Sequence, residues 1–266
     1  EVLVLDDGSS DNSFELVEQW RVQHPTAFTR FSASCQTNQG LVRSLNLLLV
    51  QATGDFITLV ASDDGLLPGG ISARVAALKH NPKWLGVIGD TYLTHEDGSI
   101  YHFSGTRGFH RRDLRVMQNL ALLKRELILR WWVPGPGLLL RKEAYDRLGT
   151  YDEQLLFEDR DMYLRLLAQD ALGYLDYPVA FYRFGPERYN APPNPQVLLY
   201  EAKADRKNAP NFSPILRTLL LLRASMLEYT AKSMLDSNLS NVLIRKGLTG
   251  LFRLITAGES FVRRWG

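Results

Sequence analysis

The chain has 266 residues and a mass of 30.2 kDa, with 45% hydrophobic and 23% charged residues. That composition is globular and excludes an intrinsically disordered chain. The net charge of +2 leaves no general nucleic-acid footprint, and the single cysteine, Cys35, excludes an internal disulfide framework and fits a reducing compartment.

In chain order, "VLVL" is short, β-rich and closed by a turn cluster, so it reads as a buried strand. "NSFELVEQW" reads as a helix, with Asn12 and Glu15 placed for a capping box. "LVRSLNLLLVQA" predicts a second helix with Leu41, Leu45 and Leu49 on one face, and "FITLV" a second buried strand. "ISARVAALKH" predicts a helix closed by Asn81-Pro82, and "LGVIG" a third strand. "HEDGS" predicts a hairpin turn, and "DLRVMQNLALLKRELIL" one longer helix. "GLLLR" follows as a strand, "KEAYDRLG" and "DRDMYLRLLAQD" as helices, and "LGYLD" as a last strand.

Alternating strands and helices predict an α/β fold with a mostly parallel, doubly wound sheet and helices on both faces. Such sheets bind ligands beyond the carboxyl ends of their strands. The Pro-rich "NAPPNPQ" marks a boundary, giving a domain over 1–195 and a helical, basic extension over 196–266. Residues 201–266 carry 11 Lys/Arg against 5 Asp/Glu, whereas 1–200 carry 20 against 24. No uninterrupted apolar run reaches membrane-spanning length.

Three acidic clusters stand out: Asp6-Asp7 after the first strand, Asp63-Asp64 after the second, and Glu158-Asp159 at the start of a helix. Each has a purely structural reading. Asp and Gly are ordinary turn residues, and carboxylates at a helix start complement its dipole for ~0.3–1 kcal/mol. Together they say more, because adjacent carboxylates repel unless a cation or a hydrogen-bonding ligand offsets the cost. Open, oxygen-rich sites suit Mg²⁺ or Mn²⁺ bridging phosphates.

The order and spacing of several motifs resemble the inverting glycosyltransferases of family 2, which have the GT-A fold. "VLVLDDGSSDNS", "TNQGLVRSLNLLLVQATGDFITLVASDDGLLPGGI", "VPGPGLLLRKEAYDRLGTYDEQLLFEDRDMYLRL" and "YPVAFYRF" carry the likeness, over residues 1 to about 190. The resemblance implies a further strand and helix ahead of "EVLVLDDGS", so the chain is expected to be N-terminally incomplete. It implies transfer, with inversion, from a nucleoside-diphosphate sugar to a saccharide or lipid-linked acceptor, in polysaccharide or glycolipid synthesis. UDP is the default nucleotide.

By position, Asp7 resembles the base-reading aspartate, supported by Asp6. Asp63 and Asp64 resemble the acidic motif for ribose and for Mn²⁺ or Mg²⁺, with the metal on Asp64. Ala61 stands where many members have a further Asp. Asp159 resembles the catalytic base, with Glu158 beside it. Arg43 and Arg183 are weaker candidates for diphosphate contacts, since surface arginines are commonly just solvated. Trp131 and Trp132 could stack on an acceptor or fill the core. A nucleotidyltransferase, a non-catalytic nucleotide-sugar-binding relative and, remotely, a phospho-receiver domain are the rival readings.

A helical wheel over the tail puts Arg245, Lys246, Arg253, Arg263 and Arg264 within about one third of the circumference. Leu251, Leu254, Phe261 and Trp265 lie opposite. That pattern predicts a tail lying on a membrane surface, or one whose apolar face packs on the domain. With the reducing compartment that the single cysteine fits, the expected location is cytoplasmic, at the inner face of the membrane.

Overall fold

The computed structural model describes residues 1–130, 133–185 and 193–235. Trp131, Trp132 and the 241–266 helical wheel lie outside the described residues. Eight strands and nine α-helices follow one another among the described residues. They run β1 (Val2–Asp6), α1 (Ser13–Gln23), β2 (Phe31–Cys35), α2 (Leu41–Gln51), β3 (Phe56–Ile57), β4 (Gly65–Leu66), α3 (Gly70–His80), β5 (Gly86–Thr94) and β6 (Ile100–His102). Then come α4 (Leu114–Met117), α5 (Leu120–Leu129), β7 (Leu138–Arg141), α6 (Glu143–Leu148), α7 (Asp159–Ala168), β8 (Leu172–Arg183), α8 (Pro195–Asn208) and α9 (Pro214–Leu235).

The α/β class stands, but strand pairing is more mixed than a mostly parallel sheet. β1 and β2 pair in parallel as a two-stranded sheet. The larger sheet has the order β3-β7-β5-β8-β4, with β6 hairpinned onto β5. Only β5–β8 is parallel in it; β3–β7, β5–β7, β4–β8 and β5–β6 are antiparallel. The hairpin turn at "HEDGS" forms as expected, with His95 N–H donating to Ser99 O at 2.9 Å. β8 bulges against β5: Gly89 faces Leu175, but Asp90 faces Pro178. A proline, which has no N–H for a ladder, is tolerated in a central strand at such a bulge.

Several local expectations change for identifiable reasons. "VLVL" is half-buried, not buried, because β1 pairs only with β2 among the described residues. β2 itself, "FSASC", carries a polar alternation too short to stand out. Asn12 occupies the cap position of α1 without a side-chain cap; Asp11 takes that work, accepting from Ser13 N–H and Oγ at 3.0 and 2.6 Å. Leu41 is exposed, and Val42 joins Leu45 and Leu49 in the core instead. "FITLV" gives only the two-residue β3, antiparallel to β7. The long helix breaks at Asn119, whose side chain accepts from Leu122 N–H at 3.1 Å and starts α5 afresh.

One core joins these parts. Leu45 of α2, Leu127 of α5, Ile88 of β5, Leu140 of β7 and Met162 and Leu166 of α7 meet Phe212 and Leu220 from beyond residue 195. Each fully buried Leu or Met side chain contributes ~1.5–3 kcal/mol. The helices after "NAPPNPQ" therefore share the core of the sheet that precedes it.

Candidate active site

The first acidic pair sits at the end of β1, beside parallel β2. Gly8 follows it with φ +88°, and a Cβ there would stand 2.8 Å from Asn38 N. This left-handed, close-packed glycine lets the Asp7 carboxylate reach the lead-in to α2. It accepts from Gln36 Nε2 at 2.8 Å and from the backbone N–H of Gln39 and Gly40, both at 2.9 Å. Burial opposes its ionisation, but hydrogen bonds from Gln36, Gln39, Ser44 and Gly40 outweigh burial and hold it below the usual carboxylate range. Asp6 ends β1 and its carboxylate holds the turn that follows, accepting from Gly8 and Ser9 N–H at 3.0 and 2.8 Å. Its carboxyl is held low, chiefly by the Ser9 backbone hydrogen bond. Arg43 is exposed on α2, whose lead-in Asp7 fixes.

The second pair does not follow a parallel strand as expected. Asp63 and Asp64 are half-buried in a turn between β3 and β4, both paired antiparallel. Asp64 Oδ1 accepts from Arg183 N–H at 2.9 Å, at the end of β8. Gly65 makes this approach possible: a Cβ there would overlap the Phe181 ring at 2.1 Å. Asp64 and Arg183 thus come together, but through the arginine backbone. Ala61 is exposed in the same turn, its carbonyl accepting from Asp64 N–H at 3.1 Å.

The third pair opens α7. Asp159 Oδ1 accepts from Arg160 N–H at 2.5 Å. Burial raises its pKa above the ordinary value, partly offset by that hydrogen bond. Glu158 is pushed up to about 7, first by burial and then by the charge of Asp159. Asp159 lines a cavity of about 190 Å³ between α7 and α8. Carboxylates of raised pKa in a cleft are the pattern expected of acid–base groups.

Sequence reading missed what holds this pair in place. Arg160 is buried and reaches Asp205 of α8 through Nε at 2.9 Å and Nη2 at 2.7 Å, and Leu127 O at 2.6 Å. Asp205 also accepts from Arg223 Nη1 of α9 at 2.5 Å, and Arg223 bonds Glu201 of α8. Asp161, also buried, accepts from Lys207 and Asn208 at 3.0 and 2.7 Å. The signal was present as a charge mismatch: "FEDRD" sets Arg160 among three acidic residues where a helix start should be simply acidic, and the tail supplies the opposite charges. Arg74 of α3 was missed too. It is fully buried, with Nη1 donating to Thr58 Oγ1, Pro136 O and Leu138 O at 3.0–3.1 Å.

Among the described residues no group of three or more His, Cys, Asp or Glu is placed to hold a metal ion. Asp63 and Asp64 offer hard oxygen donors and too few of them to fill a divalent cation's shell. That suits an ion which keeps positions for phosphate and water.

These elements define a GT-A-type α/β transferase fold. Staphylococcus aureus TarS 1–349, solved with UDP-GlcNAc, is similar at TM-score 0.60 and 18% identity, covering 95% of this chain and 71% of that one. The mannosyltransferase PcManGT of Pyrobaculum calidifontis, solved with GDP-Man and Mn²⁺, is similar at TM-score 0.54 and 17% identity, covering 96% and 73%. Residues 1–148 match the family described as glycosyl transferase family 2, and the chain belongs to that family. A curated relative, poly-β-1,6-N-acetyl-D-glucosamine synthase of Staphylococcus epidermidis, is 21% identical over 162 residues. The match covers 60% of this chain and 36% of that relative, so the chain spans about a third of its length. Family membership sets aside the nucleotidyltransferase and phospho-receiver readings. Glu158 and Asp159 lie beyond the matched residues.

Proposed function

We propose that this chain transfers a sugar, with inversion, from a nucleoside-diphosphate sugar to an acceptor hydroxyl in polysaccharide or glycolipid synthesis. A UDP-linked donor is the favoured choice, supported by the fold's likeness to a protein solved with UDP-GlcNAc. The observation that carries the reading is Asp159: a carboxylate of raised pKa, lining a cavity, in a chain of this family.

The barrier has two parts. The acceptor oxygen must lose its proton as it attacks, and the diphosphate must leave with growing negative charge. Asp159 answers the first as general base, a role typically worth ~10²–10⁴-fold. Burial makes Asp159 a stronger proton acceptor than a solvated carboxylate. Glu158, charged beside it, favours the protonated form of the pair once the proton has arrived. Asp64, with Asp63, would hold Mn²⁺ or Mg²⁺, which would supply Lewis-acid stabilisation of the leaving diphosphate. Asp63 faces the ribose in this reading, Asp6 and Asp7 frame the nucleobase side, and Arg43 and Arg183 contribute positive charge toward the diphosphate.

Asp159→Asn tests the assignment. The variant keeps donor affinity and loses transfer by about 10²-fold or more. Near-normal turnover with normal donor affinity would remove Asp159 as base, and donor binding without turnover in the unmodified chain would leave a non-catalytic relative.

A further inference from the structure

The cavity beside Asp159 is not built by the family-matched segment. Its other wall is α8, from beyond residue 195, which presents Tyr200 and Glu201 to the same space. We infer that α8 forms the acceptor side of the site, with Tyr200 and Glu201 binding an uncharged sugar ring next to Asp159. This inference rests on the proposed transfer reaction and extends it to the acceptor.

Size is the first argument. A cavity of about 190 Å³ is smaller than the ~300–1,000 Å³ of sites for drug-sized ligands. It has room for about one sugar ring, and because it opens to solvent it leaves any chain attached to that ring outside.

Chemistry is the second. A sugar ring has apolar C–H faces and hydroxyls around its edge. Phe157 and Tyr200 line the cavity with aromatic surface, and Asp159 and Glu201 line it with carboxylates that accept hydroxyl protons. Arg160 lines the cavity too, but its guanidinium is engaged by Asp205 and by the Leu127 and Ile128 carbonyls, so the carboxylates of Asp159 and Glu201 disfavour a phosphate and the favoured acceptor group is a neutral polyol. Charge around Asp159 comes from Glu158 and Arg160 on its own helix and from Glu201 across the cavity. The buried hydroxyl of Tyr163 stands close to the same pair.

Rigidity is the third. Glu201 is bonded by Arg223, which also bonds Asp205, which in turn bonds Arg160, the residue after Asp159. This chain of charges, buried except for the partly exposed Glu201, ties the α8 wall to the helix that carries the base. An acceptor positioned to within a fraction of an ångström is what a bimolecular transfer needs.

Saturation-transfer NMR tests this without requiring turnover. The probes are methyl β-D-glucopyranoside and methyl N-acetyl-β-D-glucosaminide, with glycerol 3-phosphate as the anionic control. The unmodified chain is expected to bind at least one glycoside in preference to the phosphate. Tyr200→Ala and Glu201→Gln should each weaken glycoside binding about tenfold, the first by removing an aromatic face and the second by removing a charge-assisted hydrogen bond. UDP with Mn²⁺ should bind all three proteins within about twofold, because the donor side lies on other elements. Tyr200 is only half-buried, so its truncation spares the charge chain. Absence of glycoside binding, or equal binding by both variants, overturns the inference. Glycoside binding lost in the variants while the unmodified chain ignores UDP supports this pocket and counts against the donor reading instead.

Discussion

Arg183 and Asp64 are 119 positions apart in sequence, yet the arginine N–H donates to the aspartate Oδ1 at 2.9 Å. The bond ties the end of β8 to the turn that carries the second acidic pair. One carboxylate oxygen of Asp64 therefore has a structural task, whatever part the carboxylate also takes in holding a cation.

That division of labour separates two substitutions. Asp64→Asn keeps an acceptor for Arg183 N–H but loses the charge, and Asp64→Ala loses both. Isothermal calorimetry with UDP and Mn²⁺ should show a weakening of about tenfold or more in each, with the melting temperature lowered only in Asp64→Ala. Equal UDP affinity of the unmodified chain in EDTA and in Mn²⁺ would count against a metal on this pair.

Glu158 makes stability depend on pH. Its pKa is raised to about 7 from 4.5, so the folded state holds the proton more tightly than the unfolded state. The stability that this proton supplies is fully present below about pH 4.5 and is lost as pH rises through about 7. Glu158→Gln removes the loss. The variant should match the unmodified protein near pH 4 and be more stable at pH 8, by about 1–3 kcal/mol. Thermal melts at the two values check this; identical differences at both would refute it. Transfer runs the opposite way. It needs the ionised pair, so the rate should rise with pH through a pKa above the ordinary carboxylate value.

Asp205 is wholly buried between two buried arginines. Asp205→Ala leaves Arg160 and Arg223 facing each other without their shared anion. Breaking such a group should cost about 3–5 kcal/mol. Urea denaturation should show the full loss in a single transition, because Phe212 and Leu220 belong to the same core as α5 and α7. Two separate transitions would mean that α8 and α9 fold as an independent unit.

Drawn on a helical wheel, the sequence of residues 241–266 sets a basic stripe against an apolar face. Flotation with anionic vesicles at low salt should retain the full chain and lose a version without residues 241–266. Each basic residue near the surface is worth roughly 1 kcal/mol, so high salt should weaken retention. Equal flotation after the deletion would assign the tail to packing. Among the described residues no helix is long and apolar enough to cross a membrane.

Residue order by itself determined the helices α2, α3, α6 and α7, because apolar periodicity and local stop signals such as Asn81-Pro82 act within a few residues. It also determined the three acidic pairs, because motif and spacing are written along the chain. The tertiary structure decided strand direction, since pairing depends on partners far away in sequence: β3 lies antiparallel to β7, and β5 parallel to β8. It also decided what each carboxylate does locally. Asp7 is occupied by the lead-in to α2, Asp64 by β8, and Asp159 faces a cavity whose far wall comes from α8. Nothing in "FEDRD" alone names Asp205 or Glu201 as its neighbours. Buried charges must find opposite charges wherever the fold brings them, and only the packed chain sets which ones meet.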